Sequence, residues 1–194
     1  MRLPKGVHGL ARVATAKGFT LIEILIVSAI IATLSVVFIL NFRLSAKNKT
    51  ARLQVASIIV SDLRQAESMS ISGSRYQGNI ACGFGVHYVD SATYLIYAKS
   101  VPMDQPCASL ATRNYTDGDP IVAAKKVFNP GVEIRSHFND IFFEPPDPKI
   151  YIDNDSSLTH APEQIIIQLL GQADCVSQPC TTIQVYTSGE LDIN

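Results

Sequence analysis

Hydrophobic and polar positions along the chain follow two successive patterns, and the first of them is helical. Residues 24–42 include neither a charged residue nor a proline, and these 19 positions are about enough to span a hydrocarbon core of roughly 30 Å. Apolar and small residues then continue at helical spacing, with most charged positions off the stripe. The stripe consists of Leu53, Ala56, Val60, Leu63, Ala66 and Ser70, and the charged residues beside it are Arg52, Asp62, Arg64 and Glu67. We therefore predict one helix from about Phe19 to about Ser70, whose first half crosses a membrane and whose second half packs on a globular head.

The second pattern begins at Ile80 and has the period of β-strands. Six β-branched and aromatic runs are bounded by Gly, Pro, Asn and Asp residues. They are GVHYV, TYLIYAK, KVFNPGVEIRSHF, DIFFEPPDPKIYI, QIIIQLLG and TTIQVYTSGELDI. A long helix followed by about six strands predicts an α+β fold, in which an antiparallel β-sheet head packs on the helix. The proline-containing segment between Ser100 and Pro120 is expected to be a long surface loop.

The distribution of charge predicts an orientation in the membrane and disfavours nucleic acid as a partner. The first 18 residues contain four basic residues and no acidic one, so the positive-inside rule predicts a single-pass inner-membrane protein with a cytoplasmic N-terminus and an extracytoplasmic head. Four further basic residues after the apolar run, Arg43, Lys47, Lys49 and Arg52, weaken this asymmetry. The whole chain has 16 basic and 17 acidic residues, without the cationic excess that binding to nucleic-acid phosphates requires. Nucleic acid is therefore an unlikely partner.

The four cysteines, Cys82, Cys107, Cys175 and Cys180, all follow the apolar run. If this region is extracytoplasmic, four cysteines allow three disulfide pairings. The short separation of Cys175 and Cys180 favours a local bridge, which leaves Cys82 to pair with Cys107. Four reduced core thiols are the alternative, since free cysteine behaves as a small buried apolar residue. A zinc site is less favoured, because the chain has no C-x2-C pair.

The segment from Lys17 to Glu23, KGFTLIE, places a glutamate next to the apolar run. A carboxylate inside hydrocarbon is unfavourable unless it has a partner or a function. The segment resembles the processing motif of type IV prepilins and pseudopilins. The resemblance implies that a prepilin peptidase cleaves after Gly18, that the new amino group of Phe19 is methylated, and that Glu23 pairs with the terminal amine of a neighbouring subunit during filament assembly. In the alternative interpretation, Glu23 only extends to the cytoplasmic interface of a simple anchor.

The resemblance also implies a pilin-like organisation of the chain. Residues 1–18 would be a leader that is removed, 19–42 the transmembrane half of the helix, 43–72 its extracytoplasmic half and 73–194 the β-rich head. A looser similarity to the GspH/FimT group of minor pilins and pseudopilins covers most of the head. It rests on the segments SDLRQAESMSIS, CGFGVHYV, TYLIYAK, FFEPPDP and SGELDI.

Residues that could support chemistry are few. None of the four histidines is spaced with a cysteine, serine or aspartate in a recognisable nucleophile motif, so we expect a non-enzymatic protein without a cofactor. The segment DNDSS offers Asp153 and Asp155 as weak calcium ligands, since alternate carboxylates suit a hard cation. It lacks the glycine and terminal glutamate of an EF-hand loop, and polar turn chemistry explains it equally well.

These features suggest the precursor of a minor pilin or pseudopilin, a structural subunit of a type IV pilus or a type II secretion pseudopilus. Its expected partners are other pilin or pseudopilin subunits, the prepilin peptidase and the inner-membrane assembly platform. One alternative is a DNA-capturing minor pilin, with Lys125, Lys126 and Arg135 as candidate contacts, although Glu190 and Asp192 would repel phosphate. Another alternative is an anchored extracytoplasmic domain that never polymerises.

Overall fold

The computed structural model of the protein describes residues 20–73, 75–76, 78–102, 105–127, 129–176 and 178–194. It divides into two units, Met1–Leu44 and Ser45–Asn194. A helix is followed by antiparallel strands, which confirms the predicted α+β fold. The elements are α1 (Leu21–Ile71), β1 (Arg75–Tyr76), β2 (Asn79–Asp90), β3 (Thr93–Ser100), β4 (Ile121–Lys126), β5 (Val132–Ile134), β6 (Ile141–Glu144), β7 (Lys149–Ile152), β8 (Glu163–Leu169), β9 (Thr181–Val185) and β10 (Leu191–Ile193), with a short 3-10 turn at Cys107–Ser109.

The strands form two antiparallel sheets, whereas the sequence pattern predicted a single sheet. The larger sheet has the order β4-β3-β2-β6-β7, with β1 paired to β2, and the smaller one has the order β10-β9-β8-β5. The segment KVFNPGVEIRSHF was expected to be one strand, but it contains only the end of β4 and then β5. The segments DIFFEPPDPKIYI and TTIQVYTSGELDI also contain two strands each, β6 with β7 and β9 with β10, so the expectation of about six strands is wrong. An Asn129–Gly131 turn separates β4 from β5, with the Gly131 N–H donating to Asn129 Oδ1 at 3.0 Å. Pro130 has no N–H to donate to a β-ladder, which favours a turn here, and the chain enters the smaller sheet after it.

The main core of the Ser45–Asn194 unit brings together α1 and the inner faces of both sheets. Four of the six residues of the predicted stripe, Ala56, Leu63, Ala66 and Ser70, are buried and Val60 packs against the core, whereas Leu53 is 42% exposed. The residues of α1 that are buried are Arg52, Val55, Ala56, Ile59, Asp62, Leu63, Ala66 and Ser70. The predicted stripe is therefore largely correct, and the buried face is wider than the stripe because it also includes Val55 and Ile59.

The larger sheet is covered on its second face as well. A smaller apolar cluster of Leu95, Tyr97, Phe142 and Tyr151 lies there, on strands β3, β6 and β7. Tyr115, from the segment that was expected to be a surface loop, packs against this cluster. The chain between β3 and β4 therefore contributes to a second core, which explains why these strands alternate between two apolar faces.

Gly85 on β2 leaves room for an aromatic ring on the neighbouring strand. The two residues Gly85 and Tyr97 are register partners, and a Cβ atom placed on Gly85 would lie 2.5 Å from Cζ of Tyr97. No real side chain tolerates such a contact, so Tyr97 lies flat across β2 only because position 85 is glycine.

Candidate functional site

The first turn of α1 contains the described part of the KGFTLIE segment. Thr20 precedes the helix, and its hydroxyl accepts a hydrogen bond from the Glu23 N–H at 3.3 Å. The Glu23 carboxylate in turn accepts from the Thr20 N–H and the Thr20 hydroxyl, both at 3.4 Å. This reciprocal arrangement is a capping box, which satisfies backbone donors at a helix start. All three distances are long for hydrogen bonds, so the carboxylate keeps most of its capacity to accept from another group.

Sequence analysis did not identify this capping role of Glu23. The signal was present in the sequence as T-x-x-E, which is a known capping-box spacing. The box aims the carboxylate at the N-terminal end of the helix, the same end at which the predicted Phe19 amine would lie. Lys17, Gly18 and Phe19 themselves lie outside the described residues.

The segment Leu21–Ile39 is long and apolar enough to cross a membrane, with a mean hydropathy of 2.7. The span is exposed within the described part of the chain, so lipid or another protein can contact it. Three hydroxyls lie within it, and each donates to a backbone carbonyl of its own helix. The bonds are Ser28 to Leu25 at 2.9 Å, Thr33 to Ile30 at 2.9 Å and Ser35 to Ile31 at 2.7 Å. These polar groups are thus satisfied within the helix, and Glu23 is the one ionisable side chain in the span.

In the head unit, the buried carboxylate of Asp62 forms an ion pair with the partly exposed Lys125, which sequence analysis did not foresee. Its Oδ1 lies 3.0 Å from Lys125 Nζ, and its Oδ2 accepts a hydrogen bond from the Tyr94 hydroxyl at 2.6 Å. Burial raises the pKa of Tyr94 well above its usual range, and the hydrogen bond to Asp62 raises it further. This arrangement occupies Lys125, one of the three cations considered for DNA binding. Another of them, Arg135, has its guanidinium 2.9 Å from Cys175 Sγ.

A set of polar contacts fastens the segment between β3 and β4 to the larger sheet. His87 Nδ1 lies 2.6 Å from Asp140 Oδ1, and the other oxygen of Asp140 accepts from the Tyr115 N–H at 2.5 Å. Arg113 Nε donates to Glu144 at 2.8 Å, and this bond is the main reason that the pKa of Arg113 is raised. The His87–Asp140 pair thus has a structural partner in the loop, and within the described residues no serine or cysteine nucleophile bonds to it.

The calcium candidates Asp153 and Asp155 make ordinary turn contacts. Asp153 accepts from the Asn114 side chain at 2.7 Å, and Asp155 accepts from the Ser157 N–H at 2.9 Å. The hydrogen bond from Ser157 lowers the pKa of the exposed Asp155 carboxyl. Within the described chain, no three His, Cys, Asp or Glu side chains are grouped so that they could hold a metal ion. Calcium binding at this segment stays a prediction.

Two disulfide bonds join the four cysteines. Cys82 bonds to Cys107 with a Cα–Cα distance of 5.3 Å, and Cys175 bonds to Cys180 with a Cα–Cα distance of 5.2 Å. This is the pairing that the sequence separations favoured. The first bridge attaches the segment between β3 and β4 to strand β2, and the second closes a short loop between β8 and β9.

Comparison with known proteins gives one match. The family model described as "Prokaryotic N-terminal methylation motif" matches residues 14–39, which include Gly18, Phe19, Glu23 and the apolar span. No curated protein and no solved structure matches the chain. The family model covers the N-terminal segment alone, so this match does not assign the head to a family. The methylation motif, the apolar helix and the α+β head together indicate a type IV pilin-like precursor that is anchored in a membrane.

Proposed function

We propose that the protein is a structural, non-enzymatic subunit of a type IV pilus or type II secretion pseudopilus, most similar to the GspH/FimT minor pilins. The observation that supports this proposal best is the unburied span of α1, which begins with a capping box whose carboxylate is only weakly satisfied. Capping the helix of a simple anchor does not require a charge at that position, because glutamine completes the same capping box. A subunit that packs its helix against other helices gains a partner for it.

The proposed partner of Glu23 is the positive amino group of Phe19 on an adjacent subunit. In a low-dielectric setting an unpaired charge is strongly unfavourable, so one amine and one carboxylate fix the register between two helices. The weak bonds from Thr20 hold the carboxylate at the helix end without using its full capacity as an acceptor. Each subunit would thus accept the amine of one neighbour and offer its own amine to another.

A pair of substitutions separates charge pairing from helix capping. Glu23→Gln keeps a side chain that completes a capping box but removes the charge, and it should strongly reduce incorporation into filaments. Thr20→Ala removes the cap and keeps the carboxylate, so it should retain most of the incorporation. The measurement is the ratio of protein in sheared filaments to protein in the membrane fraction. If Thr20→Ala fails as completely as Glu23→Gln, the role of Glu23 is helix capping and the proposed pairing is wrong.

Processing is the second test of this function. We expect the mature chain to begin at Phe19 with a methylated amino group, and Gly18→Ala to block cleavage by prepilin peptidase. N-terminal sequencing and intact mass of the membrane form decide this. A mature start after the apolar run, or an uncleaved chain in cells that contain the peptidase, would contradict the proposal.

A further inference from the structure

Basic residues without acidic neighbours follow the membrane span on α1. Residues 24–61 contain Arg43, Lys47, Lys49 and Arg52 and no Asp or Glu. Lys47 and Lys49 are exposed, and neither side chain makes a hydrogen bond or ion pair within the part of the chain that the structure describes. Arg52 differs, since it is buried in the head unit with 5% of its surface exposed. Lys47 and Lys49 are therefore two cations whose side chains are available to bind a group outside the chain.

Their position along the chain points to the membrane surface. The span ends at Ile39, so the two lysines follow it by eight and ten residues on the same helix. This spacing amounts to about two to three helical turns along the axis. The headgroup layer and the length of a flexible lysine side chain together cover that distance, so the ammonium groups can reach lipid phosphates. Anionic headgroups at that level attract such residues electrostatically.

A second copy of the chain is a poor alternative partner. A helix that lay alongside at a similar level would present its own acid-free residues 24–61, so like charges would meet. The expected orientation also places the two lysines on the extracytoplasmic side, where the positive-inside rule disfavours them. Two exposed cations beside a membrane span are therefore available to an anionic group outside the chain.

We propose that Lys47 and Lys49 bind the phosphate groups of anionic phospholipids in the leaflet from which the span emerges. Binding would hold the subunit at a fixed depth before it is taken into a filament. The proposal rests on the membrane span of the proposed function and is independent of filament assembly.

The test uses the full chain reconstituted in phosphatidylcholine vesicles that contain traces of spin-labelled phosphatidylglycerol or spin-labelled phosphatidylcholine. Electron spin resonance measures how strongly the protein prefers the anionic lipid at its boundary. The double variant Lys47→Gln and Lys49→Gln should lower this preference by about fivefold for each lysine, the equivalent of about 1 kcal/mol. The matched control, Lys126→Gln and Lys149→Gln, removes two exposed charges from β4 and β7 and should keep the wild-type preference.

Several outcomes would overturn the proposal. Failure of all variants to float with phosphatidylcholine vesicles would contradict the membrane span, and with it both proposals. If flotation is intact, an unchanged preference in the Lys47 and Lys49 variant overturns the lipid proposal alone. An equal loss in the control variant does the same, because net charge would then explain the preference. Unchanged lipid preference with lost co-purification of other pilin-like subunits would assign the two lysines to a protein contact.

Discussion

Asp62 joins helix α1 to two strands of the larger sheet through a single carboxylate. One oxygen accepts from Tyr94 on β3, and the other is paired with Lys125 on β4. Asp62 is 7% exposed, so its charge is screened little by solvent. Removing it would leave a buried hydroxyl and an ammonium group without their partner, and such unpaired groups are more unfavourable than the intact pair is favourable.

We predict that Asp62→Ala lowers the free energy of unfolding by about 2–3 kcal/mol, mainly because the buried Tyr94 hydroxyl loses its acceptor. Glu67→Ala is the control on the same helix, because Glu67 pairs with Arg64, whose side chain is 50% exposed. An exposed pair of this kind contributes at most about 1 kcal/mol. Denaturant unfolding of both variants and the wild type measures the difference. Losses of similar size in the two variants would contradict a special role for the buried carboxylate.

For single residues, the sequence predicted the importance of a side chain within a motif better than the contacts of a side chain in the core. Glu23 stood out because a charge inside an apolar run is rare, and the structure adds its contacts with Thr20. Asp62 was expected to lie off the apolar stripe, yet it is buried beside Leu63, because the buried face is wider than the stripe. Its partners Tyr94 and Lys125 lie 32 and 63 positions further along, and such distant pairings leave no local pattern.

The two disulfide bonds should contribute differently to stability, because they close loops of different length. Cys82–Cys107 spans 25 positions and Cys175–Cys180 spans 5. The chain-entropy model gives about 3.5 kcal/mol for the first bridge and about 2 kcal/mol for the second. Replacing each pair by alanines should therefore destabilise the Cys82 and Cys107 variant more, as measured by denaturant unfolding. Equal losses, or a larger loss in the Cys175 and Cys180 variant, would contradict this order.

The periodicity of the sequence predicted the helix and most of the strand segments. It did not predict which strands pair with each other. The predicted helix from about Phe19 to about Ser70 agrees with α1 (Leu21–Ile71). The division into two sheets depends on the Asn129–Gly131 turn, where a Pro-Gly pair inside an apparent strand was the available signal. The segment between β3 and β4 was expected to be an exposed loop, and Tyr115 is the residue that attaches it to the second face of the sheet.

For the head unit as a whole, buried tyrosines predict a loss of stability at high pH. The pKa values of Tyr88, Tyr94 and Tyr97 are all raised, with burial as the largest cause. Above about pH 10 the unfolded chain ionises these phenols while the folded chain holds them protonated, so the unfolded state binds fewer protons. The contribution of these tyrosines to the free energy of unfolding is therefore fully present below about pH 10, and it is lost as the pH rises further.

Two measurements check this expectation. Absorbance at the tyrosinate band should show some phenols that ionise together with unfolding, and chemical denaturation should show a free energy that declines above pH 10. Tyr94→Phe should make this decline shallower. A decline of the same slope in Tyr94→Phe and wild type would mean that Tyr94 is not one of the responsible groups.

The fit of the Tyr97 ring over Gly85 restricts how relatives of this chain can differ from it. A larger residue at position 85 is acceptable only if the residue at 97 becomes smaller or turns away, so the two positions should covary in evolution. Gly131 offers a contrast, since the nearest atom to a Cβ placed there is 3.5 Å away, an ordinary contact. An alignment of homologues should accordingly show substitutions at 131 that occur independently, and substitutions at 85 that accompany a change at 97.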